Sequence, residues 1–114
     1  MILKLSELIK GLTIKEIYNE KDCEITGIQY NSLKVQKDNV FIAVKGYATD
    51  GHKYIKSAVQ NGACAVICQQ YCPEADCMQI VVEDSRIAQA VVSANYFKNP
   101  AQIFKLIGIT GTNG

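Results

Sequence analysis

Three groups of residues in this sequence have types and spacings that suit chemistry. The first is the stretch LIGITGTNG, where the apolar run Ile103 to Ile109 leads into Gly111, Thr112, Asn113 and Gly114. With Gly108, these glycines recur every third residue. Such glycines after a buried strand let the backbone turn tightly and aim successive N–H groups at a phosphate; a following helix would add its positive N-terminus. The Lys and Ser/Thr that would reach nucleotide phosphates and Mg²⁺ are absent, so on its own the pattern reads more simply as a turn. The second group is the cysteines. Cys64, Cys68, Cys72 and Cys77 lie close together, but no C-x-x-C pair is present and two of them sit in an apolar, strand-like run. Core packing for Cys64 and Cys68, with no metal site, is therefore expected. The third is the lone histidine, His52, which sequence alone cannot place beside a thiol; a structural role is the simpler expectation.

Composition bounds what these groups can serve. A chain of 114 residues, 48% hydrophobic and 20% charged, is enough for one domain with a real core. Eleven lysines and the single Arg86 balance eleven acids to a net charge of +1 without forming a basic stripe, so nucleic acid is not an expected partner. The N-terminal MILKLSELIKGL carries two lysines and lacks a small-residue cleavage site, and no stretch approaches the ~20 apolar residues of a membrane span. A cytoplasmic protein is expected, and the odd cysteine count fits reduced thiols there.

The elements that would position these groups alternate between two periods. VFIAV (40–44), ACAVIC (63–68), IVV (80–82) and IFKLIGI (103–109) have the length and β-branched content of strands covered on both faces. Between the first two, Tyr54, Ile55, Ala58 and Val59 share a helical stripe that ends at Gly62, forming a βαβ unit. Between the last two, Ile87, Ala90, Val91, Ala94 and Phe97 share another, with Asp84 or Ser85 as N-cap and Pro100 beyond the end. Upstream, Leu5, Leu8, Ile9 and Leu12 mark a short helix closed by Gly11. EITGIQYNS reads as a strand whose apolar phase changes at Gly27, the signature of a bulge. QYCPEADC (70–77) is the surface loop. The pattern predicts a three-layer α/β/α domain on a mixed, largely parallel sheet of about five strands.

In this context the terminal stretch resembles the start of the ATP loop of the Mur ligases, whose pattern continues with Lys-Thr-Thr. YNS at 30–32, DNVFIAVKGYATDGHKYIKSAVQNGACAVI at 38–67, and the spacing from Asn99-Pro100 to the terminal loop extend the resemblance over essentially all 114 residues. Within the family, Thr112-Asn113 and Tyr47 directly after Gly46 are similar to the branch that adds the third amino acid, rather than to the sister ligase that typically carries Ser-Asn in this loop. The resemblance implies a three-domain enzyme: an amino-terminal domain for the UDP end of the substrate, a central ATPase, and a carboxy-terminal domain for the incoming amino acid. It implies that residues 1–102 are the first domain and 103–114 the first strand and truncated phosphate loop of the second. The whole enzyme would use ATP and Mg²⁺ to activate UDP-MurNAc-L-Ala-D-Glu for amide formation with meso-diaminopimelate or L-lysine in peptidoglycan synthesis. The fragment would have no catalytic residues and would bind no ATP or metal of its own.

By motif position the family's Asp-Ser-Arg element becomes Asn31-Ser32-Leu33. The resemblance thus gives Ser32 the hydroxyl that bonds the nucleotide and Tyr30 the adjoining backbone contact, while Leu33 offers no guanidinium. It places Tyr47, Ala48 and Thr49 around the uracil ring, with Tyr47 stacking on the base. Gly111, Thr112, Asn113 and Gly114 become the truncated ATP loop. Read from the residues alone, Ser32 remains an ordinary turn residue and Tyr47 a packing residue, Asp50 caps the next helix, and the whole remains compatible with a freestanding nucleotide- or partner-binding α/β module.

Overall fold

The computed structural model describes residues 3–44 and 51–97. The three apolar runs within them form the middle of a five-stranded sheet: β5 (Asn39–Ile42), β6 (Ala65–Cys68) and β7 (Met78–Val82). Every residue of these strands is buried, the mark of a sheet covered on both faces. β4 (Gly27–Gln29) extends it in parallel on one side, and β2 (Ile14–Tyr18) pairs antiparallel with β7 on the other. The order is β2-β7-β6-β5-β4, a mixed and largely parallel sheet.

Side-chain alternation sorts the core into two layers. Val40, Ile42, Ala65, Ile67, Met78, Ile80 and Val82 face one side, where Leu5 and Leu8 of α1 (Leu5–Leu8) and Ala88 and Val92 of α3 (Ser85–Phe97) cover them. Phe41, Val66, Cys68 and Val81 face the other, under Ile55 and Ala58 of α2 (Ile55–Gln60). This is the expected three-layer α/β/α architecture.

Local chemistry explains the boundaries. Gly62, at φ +117°, ends the α2 turn. Its missing Cβ matters twice over, because a Cβ would lie 2.8 Å from Lys37 Cα. Asp84 caps α3, its carboxylate accepting from the Arg86 and Ile87 amides at 2.9 and 3.4 Å.

Three expectations are corrected. EITGIQ is not one bulged strand. β3 (Glu24–Ile25) pairs antiparallel with β1 (Leu3–Lys4) in a separate two-stranded sheet, and at Thr26 the chain switches to β4 in the main sheet. The phase change at Gly27 records that switch; the irregular register lies in β2, between Ile14 and Glu16. The helical stripe ending at Gly62 does not include Tyr54. A 3₁₀ turn over Gly51–Tyr54 precedes α2, and its tighter winding takes Tyr54 off the buried face, leaving it 41% exposed. On α3 the stripe is inverted: Ser85, Ala88, Val92 and Ser93 are buried, whereas Ile87 is 62% and Phe97 41% exposed. At about 100° per residue the two sets lie on roughly opposite sides of the helix. Small residues face the sheet, and on that side Asn95 donates to the Leu8 and Lys10 carbonyls, both at 2.7 Å, and Tyr96 to the Thr26 carbonyl at 3.0 Å. The strand expected at 103–109 and Pro100 lie outside the described residues, as does Asp50.

Candidate functional site

Where the parallel strands β4 and β5 end, the chain must turn over the sheet, and there a cleft of about 570 Å³ opens against α2. This size suits a drug-sized ligand, and the C-terminal edge of an open α/β sheet is where ligands bind. One wall is the turn that follows β4. Asn31 Oδ1 accepts from the Leu33 amide at 3.0 Å, which starts a 3₁₀ turn over Ser32–Lys34, and Lys34 N–H donates back to the Asn31 carbonyl at 2.9 Å. Asn61 at the end of α2 reaches across and donates to the Ser32 carbonyl at 2.8 Å. Three hydrogen bonds thus fix a turn of four residues. Ser32 lines the cleft but is only 6% exposed; Tyr30 and Leu33 stand at its rim, 46% and 84% exposed.

The facing wall comes from the end of β5 and the start of α2: Val44, Gly51, Tyr54 and Ser57. Gly51 N–H donates to the Val44 carbonyl at 2.9 Å, which ties these two residues together at the cleft. Only glycine fits there, since a Cβ on Gly51 would sit 2.8 Å from Val44 N. Behind this wall, His52 Nε2 accepts from the Gln69 amide at 2.8 Å, and Gln69 Oε1 accepts from the Ser85 amide and hydroxyl at 2.9 and 2.8 Å.

Among the described residues the cleft's lining carries no charged side chain. It offers two tyrosine rings, the hydroxyls of Ser32 and Ser57, the Asn31 amide and apolar Leu33 and Val44. That set suits a planar, neutral group with hydrogen-bonding edges, and Leu33 supplies no cation for a phosphate. A second cavity of about 370 Å³ lies between the β2–β7 end of the sheet and α3, lined by Leu12, Val82, Ile87 and Val91 with Glu83 and Asp84. Asp84 already caps α3, and two carboxylates with no lysine or arginine in the lining repel a phosphorylated ligand. The 570 Å³ cleft is the better candidate.

Of the residues expected from sequence, Tyr30 and Ser32 both line the cleft. Tyr47, Ala48 and Thr49 lie outside the described residues, as do Gly111, Thr112, Asn113 and Gly114. Sequence reasoning missed Tyr54, Ser57 and Asn61. The sequence pattern places Tyr54 on the helical stripe with Ile55, and the other two reach the site only because α2 folds back over it; the local signal is Gly51 before the helix.

The thiols sit apart from the cleft. Cys68 is fully buried, and burial pushes it up to about 12; burial and the neighbouring Cys23 do the same to Cys64, while burial and Asp76 raise Cys77 to about 11. Such thiols are protonated and weakly nucleophilic at neutral pH. Among the described residues no group of three or more His, Cys, Asp or Glu gathers closely enough to hold a metal ion, and no helix is long and apolar enough to cross a membrane.

Comparison with known proteins finds the same relationship in sequence and in structure. A model described as "Mur ligase family, catalytic domain" matches residues 24–105. The UDP-N-acetylmuramoyl-L-alanyl-D-glutamate--2,6-diaminopimelate ligase of Clostridioides difficile (strain 630) is 43% identical over 98% of the chain, which covers 23% of that ligase. The chain therefore spans about a quarter of the length of the curated relatives it matches. Among solved structures, MurF from Acinetobacter baumannii aligns with 79% of the chain and 20% of its own length, at TM-score 0.70 and 25% identity. MurF ligase from Thermotoga maritima, solved in complex with ADP, aligns with 58% of the chain and 15% of its own length, at TM-score 0.53 and 36% identity.

Proposed function

The chain belongs to the Mur ligase family, and from that premise we propose that it is the UDP-substrate-binding portion of an ATP-dependent ligase that adds the third amino acid to UDP-MurNAc-L-Ala-D-Glu in the cytoplasm. Residues 1–102 form the substrate-binding domain, and 103–114 begin the ATPase domain, whose truncated loop Gly111 to Gly114 serves ATP in a whole enzyme that also uses Mg²⁺. The incoming amino acid is meso-diaminopimelate or L-lysine. The 43% identity to a diaminopimelate ligase supports the third-residue branch, while the likeness to MurF supports the sister branch as the second reading.

The observation that carries the proposal is the cleft at the strand ends, uncharged among the described residues, where Tyr30 and Ser32 face the hydrogen-bonded pair Val44 and Gly51. In this reading the uracil and ribose occupy the cleft, the Ser32 hydroxyl hydrogen-bonds the nucleoside, and Tyr30, with Tyr47, Ala48 and Thr49 from segment 45–50, encloses the ring. The diphosphate leaves the cleft past Leu33, and its charge is met by parts of the ligase beyond these residues. The chain itself performs no acyl transfer. Its binding is correspondingly partial: about −4 to −6 kcal/mol, a dissociation constant in the high micromolar to millimolar range.

Calorimetric titration of the 114-residue chain tests this. UDP binds in that range, Ser32→Ala weakens it by about 1 kcal/mol through one lost hydrogen bond, and ATP gives no comparable heat. Micromolar ATP affinity with no response to UDP would refute the assignment.

A further inference from the structure

The histidine that the sequence leaves without a task occupies a junction in the structure. Three neighbouring parallel strands end at the cleft side of the sheet, and one chain of hydrogen bonds laces their ends: Val44 beyond β5 to Gly51, His52 to Gln69 at the end of β6, and Gln69 to Ser85 at the start of α3 beyond β7. His52 links the 3₁₀ turn over Gly51–Tyr54 to the end of β6. Its Nε2 is the acceptor, so the neutral ring carries its proton on Nδ1. Gly51, the residue before it, is both a wall of the cleft and a donor to the Val44 carbonyl.

We propose that His52 is a positioning residue for the cleft: by accepting the Gln69 amide proton it fixes Gly51 against Val44 and so sets the wall that these two residues present to the bound nucleoside. The inference rests on the proposed UDP site for its binding consequence, but not for its geometry. A side chain with an acceptor at the place of Nε2 preserves the function; one with the same bulk and no acceptor does not.

The test uses the isotopically labelled 114-residue chain with His52→Phe and His52→Gln. In His52→Phe the Gln69 and Gly51 amides lose hydrogen-exchange protection by at least roughly tenfold, and UDP binds roughly three- to tenfold more weakly. His52→Gln restores both readouts to within about twofold of the parent. His52→Ala replaces the phenylalanine variant if the larger ring prevents folding. Unchanged protection of both amides in the variant lacking the acceptor, or a glutamine variant no better than it, overturns the proposal. If the parent chain does not take up UDP, the functional reading fails, and the exchange measurement alone decides the role of His52.

Discussion

The two faces of the sheet are built from different materials. Toward α1 and α3 the core is aliphatic: Val40, Ile42, Ile67, Ile80 and Val82 meet Leu5, Leu8 and Val92. Toward α2 it holds one large ring, Phe41, with alanines, Val66, Cys68 and the buried polar Gln79. Gln79 ties down the loop that follows β6, accepting from the Cys72 amide at 2.8 Å and donating to the Cys72 and Ala75 carbonyls at 2.7 and 3.2 Å. The cleft, the Ser32 turn held by Asn61, and the thiols of Cys68, Cys72 and Cys77 lie with this second face or at its strand ends, whereas Cys23 and Cys64 pack against the first. One side thus supplies most of the hydrophobic stabilisation; the other gives up apolar area for directional contacts that hold loops in place.

Substitutions on the two faces should therefore separate stability from binding. The largest effect expected is from Ile67→Ala, which leaves a cavity in the aliphatic layer and costs about 2–5 kcal/mol in chemical denaturation, with UDP affinity of the folded fraction unchanged. A matching loss of affinity would break the division. Gln79→Leu comes next: Cys72 loses partners for its amide and carbonyl, each orphaned group costing about 1–3 kcal/mol, and limited proteolysis should cut first within 70–77. Gly51→Ala sharpens the other side of the comparison, since the Cβ must displace backbone of Val44 and Ala43; UDP affinity of the folded fraction falls roughly tenfold, and the thermal midpoint falls with it.

The thiols give a pH-dependent contrast. Cys68 is raised from 9.0 to about 12 in the fold, so its protonated form is favoured by folding. That contribution is complete below pH 9 and is lost as pH rises toward 12, where the unfolded chain ionises first. Thermal midpoints should hold from pH 7 to 9 and fall beyond it, and Cys68 should resist alkylation at pH 8. The smallest effect belongs to Ser93, whose buried hydroxyl has no partner among the described residues. Ser93→Ala should be neutral or slightly stabilising in the same denaturation assay.

How much of this was legible in the sequence follows from the same division. β5, β6 and β7 announce themselves because strands buried on both faces are apolar throughout. β2 does not, because Lys15 and Glu16 at the sheet edge are exposed and dilute its pattern. Gln79 hid the start of β7: a polar residue in an apolar run reads as a boundary until the loop it satisfies is seen. The face of α3 was inverted because the apolar stripe points outward while small residues make the close contact with the sheet. Of the site, Tyr30 and Ser32 were reachable only through the family resemblance. Tyr54, Ser57 and Asn61 come from a helix distant in sequence, and only tertiary folding brings them beside the Ser32 turn.

The central claim is that the cleft between the Ser32 turn and the start of α2 holds the nucleoside end of the substrate. A heteronuclear NMR titration of the chain with UDP tests it most directly. The account predicts shift changes clustered on residues 28–33 and 46–57, saturating at high micromolar to millimolar UDP and weakened in Ser32→Ala. Shifts confined to the second cavity around Leu12, Val82 and Ile87, or an affinity that Ser32→Ala leaves unchanged, would contradict it.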